Sequence, residues 1–189
     1  MEATTATTAT PIAVIDPTFT QIVQTRSHEP VKRCFYCQKC SVGCPTAFAM
    51  DYQPAQVLKM VQLGQKEALL NSRAIWLCIG CETCGTRCPN DIRINNVMDV
   101  LKEMALEEGV KPAEKTVYAL HRSFLDSIKV FGRVHELSML AEYMLRVPQK
   151  LPAEIGLGLK LIIKGKVLRL WTAVKDRSKV RELFRRAGV

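Results

Sequence analysis

The spacing of apolar residues predicts a chain built mainly of α-helices. Apolar side chains recur at helical intervals in several segments, and no convincing segment alternates apolar and polar residues as a strand does. Proline suits the first turn of a helix, and glycine suits the position just after its end. Helices are therefore predicted to start at Asp16-Pro17, Pro54, Asn95 or Asn96, Pro112 and Glu136, with ends near Arg26, Gly64, Gly109, Phe131 and Pro148, respectively.

Three of these helices carry an apolar stripe that we expect to face a core. A further short apolar stretch, residues 68–70, precedes Asn71. Because residues three or four apart lie on the same side of a helix, each stripe predicts one buried face. The stripes are Val57, Leu58 and Val61; Val97, Leu101, Met104 and Leu106; and Val117, Leu120, Phe124 and Ile128.

The distribution of residue types predicts three parts. Residues 1–15, rich in Ala and Thr, are expected to be disordered and lack the basic start and apolar run of a signal peptide. Residues 16–110 contain every cysteine and are expected to form one domain, followed by a helical extension over 111–189. No stretch is apolar enough to span a bilayer. We therefore expect a cytoplasmic protein, where cysteines serve as metal ligands more often than as disulfides.

Net charge changes this picture only slightly. The chain has 27 Lys and Arg against 18 Asp and Glu, a formal charge of +9. A cluster held by four thiolates carries a charge of about −2, so two clusters would leave roughly +5. Much of the basic excess would then offset a cofactor, which argues against a nucleic-acid partner.

The chemistry is concentrated in a cysteine motif that occurs twice. The first copy is Cys34-x-x-Cys37-x-x-Cys40-x-x-x-Cys44-Pro45, and the second is Cys78-x-x-Cys81-x-x-Cys84-x-x-x-Cys88-Pro89. The two copies use all eight cysteines of the chain. This is the spacing of bacterial ferredoxins, in which the fourth cysteine binds the other cluster.

The spacing also predicts which cysteines share a cluster. Three thiolates at this spacing can wrap one corner of a cubane, with amides near Gly80 and Gly85 pointing at the sulfurs. The fourth cysteine follows three residues later, before a proline, where the chain turns away. We therefore predict two [4Fe–4S] clusters and no catalytic residue. The ligands are Cys34, Cys37, Cys40 and Cys88 for cluster 1, and Cys78, Cys81, Cys84 and Cys44 for cluster 2.

Other interpretations of the cysteines fit less well. Zinc sites would leave the repeated Cys-Pro unexplained, and disulfides would need a secretory context. His28, His121 and His135 have no ligand-like spacing and are expected at the surface or in helix packing. Six apolar residues flank the ligands and either form a shell that tunes potential or pack a core. They are Phe35, Tyr36, Val42, Trp76, Ile79 and Ile92.

Longer runs around the motifs resemble a known family. Cys34-Phe-Tyr-Cys-Gln-Lys-Cys-Ser-Val-Gly-Cys-Pro45 and Ala74-Ile-Trp-Leu-Cys-Ile-Gly-Cys-Glu-Thr-Cys-Gly-Thr-Arg-Cys-Pro89 are similar to the iron–sulfur C subunit of soluble heterodisulfide reductases. So are Gly158-Leu-Lys-Leu-Ile-Ile-Lys-Gly-Lys166 and Val180-Arg-Glu-Leu-Phe184. The resemblance implies an α-helical ferredoxin domain with two [4Fe–4S] clusters.

The resemblance also implies a role within a hetero-oligomer. A C subunit of this kind relays electrons from the flavin-containing A subunit to the disulfide-reducing B subunit. The implied acceptor is the disulfide of coenzymes M and B in methanogens, with another acceptor possible elsewhere. The B subunit carries the Cys-Cys-Gly motifs of the active site, and this chain has no Cys-Cys dipeptide. The chain is therefore expected to carry electrons without being a catalyst by itself.

Two other functions stay open at the level of the sequence. Iron–sulfur subunits of fumarate reductase share a helical cluster module but need ligands for further clusters, and those of anaerobic glycerol-phosphate dehydrogenase add Cys-Cys-Gly motifs. A cluster-bearing redox sensor is a different class. Its basic tail would contact nucleic acid, although the aromatic interleaving typical of such surfaces is lacking.

The C-terminal tail, residues 155–189, combines an apolar stripe with scattered Lys and Arg. Docking on another protein of the complex is the favoured interpretation, since apolar anchors bury and basic residues steer. Packing on the chain's own core and binding to an anionic membrane surface are the alternatives. Asp176 or Ser178 is predicted to cap a last helix. The stripe comprises Leu159, Ile162, Ile163, Val167, Leu170 and Trp171.

Overall fold

A computed structural model describes residues 16–148 and 174–188 of the chain. Helices and turns make up this part, and no strand occurs in it, which confirms the mainly α class. The chain divides into two units, one ending at Glu114 and one starting at Lys115. The predicted disorder of residues 1–15 and the predicted stripe within 159–171 lie outside the described residues.

The first unit contains seven helices among its described residues, and they alternate with the two cysteine loops. Short 3₁₀ turns at Val31–Arg33 and Ala47–Ala49 lead into and out of the first loop. The helices are α1 Phe19–Ser27, α2 Lys39–Val42, α3 Pro54–Gln62, α4 Lys66–Leu70, α5 Ala74–Leu77, α6 Thr83–Thr86 and α7 Ile94–Glu107.

The core of the first unit lies where α1, α3 and α7 pack together. The stripe on α3 is buried as predicted, and so are three of the four stripe residues on α7. The exception is Leu106, which is 46% exposed. It follows Met104 by two residues, about 200° around a helix of 3.6 residues per turn, so it faces away from the core. The buried stripe residues are Val57, Leu58, Val61, Val97, Leu101 and Met104.

The predicted start of α7 was wrong. The helix begins at Ile94, and neither Asn95 nor Asn96 is its N-cap residue. The cap is supplied by a residue far away in sequence. The carboxylate of Glu29 accepts hydrogen bonds from the backbone N–H of Arg93 at 2.9 Å and from the side-chain amide of Asn96 at 2.7 Å. A charged acceptor at a helix N-terminus satisfies otherwise unpaired amides and opposes the positive end of the helix dipole.

Two more helices are capped across the chain in the same way. Ser41 Oγ accepts a hydrogen bond from the backbone N–H of Ala55 at 3.0 Å, in the first turn of α3. The Asp51 carboxylate accepts from the backbone N–H groups of Arg73 at 2.7 Å and Ala74 at 2.8 Å, where α5 begins. These bonds tie the first cysteine loop and its exit to the helices around it.

The second unit contains α8 Lys115–Phe131, α9 Glu136–Arg146 and α10 Arg177–Arg186. The last helix was predicted, and Asp176 is its N-cap residue. Helix α8 starts three residues after Pro112, where its start was predicted. Both α9 and α10 pack against α8.

The predicted stripe on α8 was also wrong in part. Leu120 and Phe124 are 41% and 43% exposed, whereas the buried residues of this helix are Ala119, Ser123 and Ser127. These small side chains let a neighbouring helix approach closely. Ser127 Oγ also accepts a hydrogen bond from the backbone N–H of His135 at 2.8 Å, at the turn into α9. Each buried residue on the packed face of α8 therefore comes one position before a residue of the predicted apolar stripe, as Ala119 does before Leu120 and Ser123 before Phe124.

We expect Glu29→Ala to destabilise the first unit by about 1.5–3 kcal/mol, the usual worth of hydrogen bonds to a charged group. Glu29 is only 7% exposed, so water cannot easily replace its carboxylate. Glu29→Gln should lower the free energy of unfolding by less than Glu29→Ala does, because the amide oxygen still accepts one hydrogen bond. The measurement is urea unfolding of the anaerobic, cluster-containing protein by circular dichroism. The exposed Glu67→Ala is the control, and an equal effect there would contradict the capping role.

Candidate functional site

The two cysteine loops have the same backbone conformation. The first cysteine of each loop is extended, with φ and ψ of −67° and 117° at Cys34 and −68° and 116° at Cys78. Two later positions in each loop are left-handed, and a one-turn helix follows in both. The left-handed residues are Tyr36 (φ 63°) and Gln38 (φ 61°) in the first loop, and Gly80 (φ 64°) and Glu82 (φ 58°) in the second.

This conformation is strained for side chains but suits an anion. A non-glycine residue in the left-handed region costs roughly 1–2 kcal/mol. Alternating left- and right-handed residues turn successive backbone N–H groups toward one side and make a concave site for negative charge. Hydrogen bonding from the backbone of Gly80 opposes the rise that burial causes in the pKa of Cys78, and the backbone of Gly85 does the same for Cys84. The loops are therefore shaped to receive a negatively charged group.

The first cavity of about 330 Å³ contains three cysteines of the first loop together with the fourth cysteine of the second loop. These are Cys34, Cys37, Cys40 and Cys88. Much of the remaining wall is apolar, with Ala55 and Leu58 of α3 and Ile94 at the start of α7. The structure thus brings together the four cysteines that the spacing grouped as ligands of cluster 1.

The second cavity, of about 370 Å³, has the complementary set. Cys78, Cys81 and Cys84 line it together with Cys44 of the first loop. Hydroxyls accompany two of the sulfurs: Thr46 Oγ1 lies 3.4 Å from Cys44 Sγ, and Thr83 Oγ1 lies 3.4 Å from Cys81 Sγ. Apolar residues complete the wall, and they are Met50, Pro54, Ile79, Ile94 and Met98.

The exchange of the fourth cysteines follows from the one-turn helices. Helices α2 and α6 pack against each other, and in each loop one residue separates the helix from the fourth cysteine. Gly43 faces the Arg87 side chain so closely that a Cβ atom would lie 2.5 Å from Nη1. The Arg87 side chain therefore lies across Gly43, where the two helices meet. Each helix then delivers its last cysteine to the other loop.

Ile94 lines both cavities and is 1% exposed. It is the first residue of α7, whose N-terminus is held by Glu29. The backbone of the next residue, Asn95, interacts with the sulfur of Cys84. The start of α7 therefore fills the space between the cavities with a dry hydrocarbon side chain. Nothing in the local sequence pattern of Ile94 separates it from other core residues, so its place beside both cavities is visible only in the structure.

The protonation of the thiols depends on their burial. Burial raises the pKa of Cys40 to about 11 and also raises the pKa values of Cys78 and Cys84. Hydrogen bonding from Thr83 lowers the pKa of the exposed Cys81. Buried thiols of this kind stay protonated until a metal displaces the proton, because coordination stabilises the thiolate directly. Four soft sulfur donors around each cavity suit an iron–sulfur cluster.

The six apolar residues that flank the ligands divide into two groups. Trp76 and Ile92 are buried and belong to the core, whereas Phe35, Val42 and Ile79 are 64%, 84% and 65% exposed. Tyr36 is 37% exposed. The exposed members give the cysteine loops an apolar outer surface.

The described residues contain neither a site for a single metal ion nor a membrane-spanning helix. No group of three or more His, Cys, Asp or Glu side chains in 16–148 and 174–188 is placed to hold a single metal ion. No helix in the same ranges is both long and apolar enough to cross a membrane.

Comparison with known proteins identifies the domain. A family model described as a 4Fe-4S dicluster domain matches residues 30–92. The C subunit of the ferredoxin:CoB-CoM heterodisulfide reductase of Methanosarcina acetivorans is 39% identical over 88 residues, 47% of this chain and 35% of that protein. The C subunit of the H(2):CoB-CoM heterodisulfide,ferredoxin reductase of Methanothermobacter thermautotrophicus is 28% identical over 104 residues, 54% of this chain and 56% of that protein.

A third relative is the iron-sulfur C 2 subunit of the CoB--CoM heterodisulfide reductase of Methanocaldococcus jannaschii, 35% identical over 79 residues. That match covers 42% of each protein. The chain thus spans between about a third and just over half of the length of these relatives. The matches confirm the resemblance to the C subunit of heterodisulfide reductases, and they show a dicluster domain over residues 30–92, whose eight cysteines fit two [4Fe–4S] clusters.

Proposed function

We propose that the chain relays electrons through its two clusters within a heterodisulfide reductase-type complex, from the flavin-containing A subunit to the disulfide-reducing B subunit. The observation that carries the proposal is the pair of four-cysteine cavities that share the wall residue Ile94. Two redox centres in cavities that share a buried wall residue are suited to passing electrons on. The names of the relatives support a complex of several subunits.

The proposed ligand sets are the crossed ones. Cys34, Cys37, Cys40 and Cys88 hold cluster 1, and Cys78, Cys81, Cys84 and Cys44 hold cluster 2. Each cluster supplies reversible uptake of one electron. The chain's own residues hold the sulfurs in place, aim backbone amides at them and keep water away with apolar side chains, all of which tune the potential of a cluster.

The terminal acceptor belongs to a partner in this proposal. The relatives are named for the heterodisulfide of coenzymes B and M, which is the proposed acceptor if this chain works in a methanogen. Another disulfide acceptor fits the same relay elsewhere. All eight cysteines of the chain are assigned as cluster ligands, so none remains to attack a disulfide.

We expect the anaerobically purified protein to contain about eight iron and eight sulfide per chain, as two [4Fe–4S] clusters require. Reduction should give electron paramagnetic resonance signals of two magnetically coupled clusters, since the two cavities lie side by side and share the wall residue Ile94. The measurements are iron and sulfide analysis and spectroscopy of the reduced protein. Stoichiometric zinc without sulfide would contradict the cluster assignment.

Cys44→Ser should damage the cluster bound by the second loop and spare the one bound by the first. Its reciprocal control, Cys88→Ser, should do the opposite. Thiols that lose their iron become open to alkylation, so peptide mapping after iodoacetamide treatment locates the damaged site. We expect label on Cys78, Cys81 and Cys84 in the first variant. Label on Cys34, Cys37 and Cys40 instead would show that each loop binds its own cluster.

The isolated chain should accept electrons from reduced methyl viologen but should not reduce a disulfide catalytically. It has two redox centres and no free cysteine to form a covalent intermediate with the substrate. The measurement is viologen oxidation with and without the disulfide of coenzymes M and B. Rapid, sustained turnover by the chain alone, above that of a sample with its clusters removed, would refute the relay role.

A further inference from the structure

Each cavity has one sulfur that lies at the surface. Cys37 in the first cavity and Cys81 in the second are exposed, whereas the other six cysteines are buried or half-buried. Electron transfer between proteins falls off steeply with distance, so a partner gains most by docking next to an exposed ligand. The surroundings of Cys37 and Cys81 therefore determine which kind of partner can approach each cluster.

The surroundings of Cys37 are basic. An open cleft of about 660 Å³ is lined by Cys37, Lys39, Val42 and Arg87, with no carboxylate in its wall. Lys39 and Arg87 are exposed, and among the described residues neither forms a salt bridge. Val42 lines the same cleft with an apolar side chain that is 84% exposed. We refer to these four residues as the Cys37 edge.

The surroundings of Cys81 have a different character. The acidic Glu82 follows it and lines the second cavity with Ile79, which is 65% exposed. Lys102 Nζ donates to the backbone oxygen of Cys78 at 3.4 Å and is paired with Asp99 at 2.9 Å. Lys102 is therefore already neutralised by a carboxylate. The two clusters present chemically distinct edges to solvent.

We propose that the Cys37 edge is the docking surface for an electron-transfer protein whose own cofactor is surrounded by acidic residues. This inference rests on the proposed relay function and adds the chemistry of one partner. Unpaired cations attract an acidic surface and speed its approach, and an exposed apolar residue beside them is buried on contact. In the assay below, one electron leaves the reduced partner and enters cluster 1, with no proton or ligand transferred.

Lys39 and Arg87 have an alternative role as counter-charges for the cluster itself. Their exposure argues against it, because solvent screens an exposed charge strongly over a Debye length of about 8 Å at physiological salt. The two roles also differ in their consequences. A counter-charge changes the potential and the reduction rate with every donor. A docking residue changes the rate with an acidic protein and makes that rate depend on salt.

The test uses the full-length protein with its clusters and a reduced, acidic [2Fe–2S] ferredoxin as the probe. Stopped-flow absorbance gives the second-order rate constant at increasing ionic strength. The variant is Lys39→Glu with Arg87→Glu. The matched control is Lys59→Glu with Lys111→Glu, which changes the net charge equally at two exposed positions away from the cleft. Reduced methyl viologen serves as a small donor that needs no docking surface.

We expect the wild-type rate with ferredoxin to fall as salt increases. At low ionic strength the Cys37-edge variant should be slower by about tenfold or more, the range of electrostatic steering, with a flattened salt dependence. The control pair should change less than about threefold, because its charges lie away from the contact. Viologen should reduce both variants at least as fast as the wild type. Val42→Asp, which keeps both cations, should slow reduction by ferredoxin but not reduction by viologen.

Several results would overturn the inference. One is that reduction by ferredoxin slows equally in the Cys37-edge variant and in the control variant. Another is that the rate with ferredoxin does not change in the Cys37-edge variant. Slower reduction by viologen, or a shifted cluster potential that accounts for the whole effect, would assign the cations to the cluster. Failure of ferredoxin to reduce a wild-type chain that viologen does reduce would also overturn it. Failure of viologen itself would count against the relay function instead.

Discussion

Each cysteine cavity is completed by a residue from the other loop, and this exchange constrains everything around it. Cys44 reaches the second cavity and Cys88 the first because α2 and α6 pack directly on each other, with Gly43 leaving space for the Arg87 side chain. Neither cavity has four cysteines if the loops separate. Cluster binding and the association of the loops are therefore one event, in which metal affinity contributes to folding.

Holding the loops together requires the surrounding helices to be placed accurately, and polar side chains in and beside the first cysteine loop do this. Glu29 caps α7, Ser41 caps α3 and Asp51 caps α5, each across a long stretch of sequence. Such bonds cap helices and join secondary structures at the same time. The most consequential is at α7, because its first residue, Ile94, lines both cavities. The Glu29 carboxylate thus positions Ile94, the side chain that lines both cavities.

The same arrangement gives each cavity an apolar inner wall and one solvent-exposed cysteine. Apolar residues of α3 and α7 line the inner walls of the cavities, which limits reorganisation of solvent around the clusters and lets backbone amides tune their potentials. Among the eight cysteines, Cys37 and Cys81 alone are exposed. Electrons can therefore enter and leave at defined places, and the different charges beside Cys37 and Cys81 give a physical basis for distinguishing one partner from another.

The sequence by itself determined the features that depend on neighbours along the chain. Helical class, the stripes on α3 and α7, the doubled cysteine motif and its resemblance to the heterodisulfide reductase family were all readable because spacing of a few residues defines them. The cap of α7, the burial of Ala119, Ser123 and Ser127 on α8, and the shared position of Ile94 were decided only in the tertiary structure. A cap can come from any acceptor brought near in space, and the face of a helix that packs depends on the shape of its neighbour, so neither leaves a local pattern.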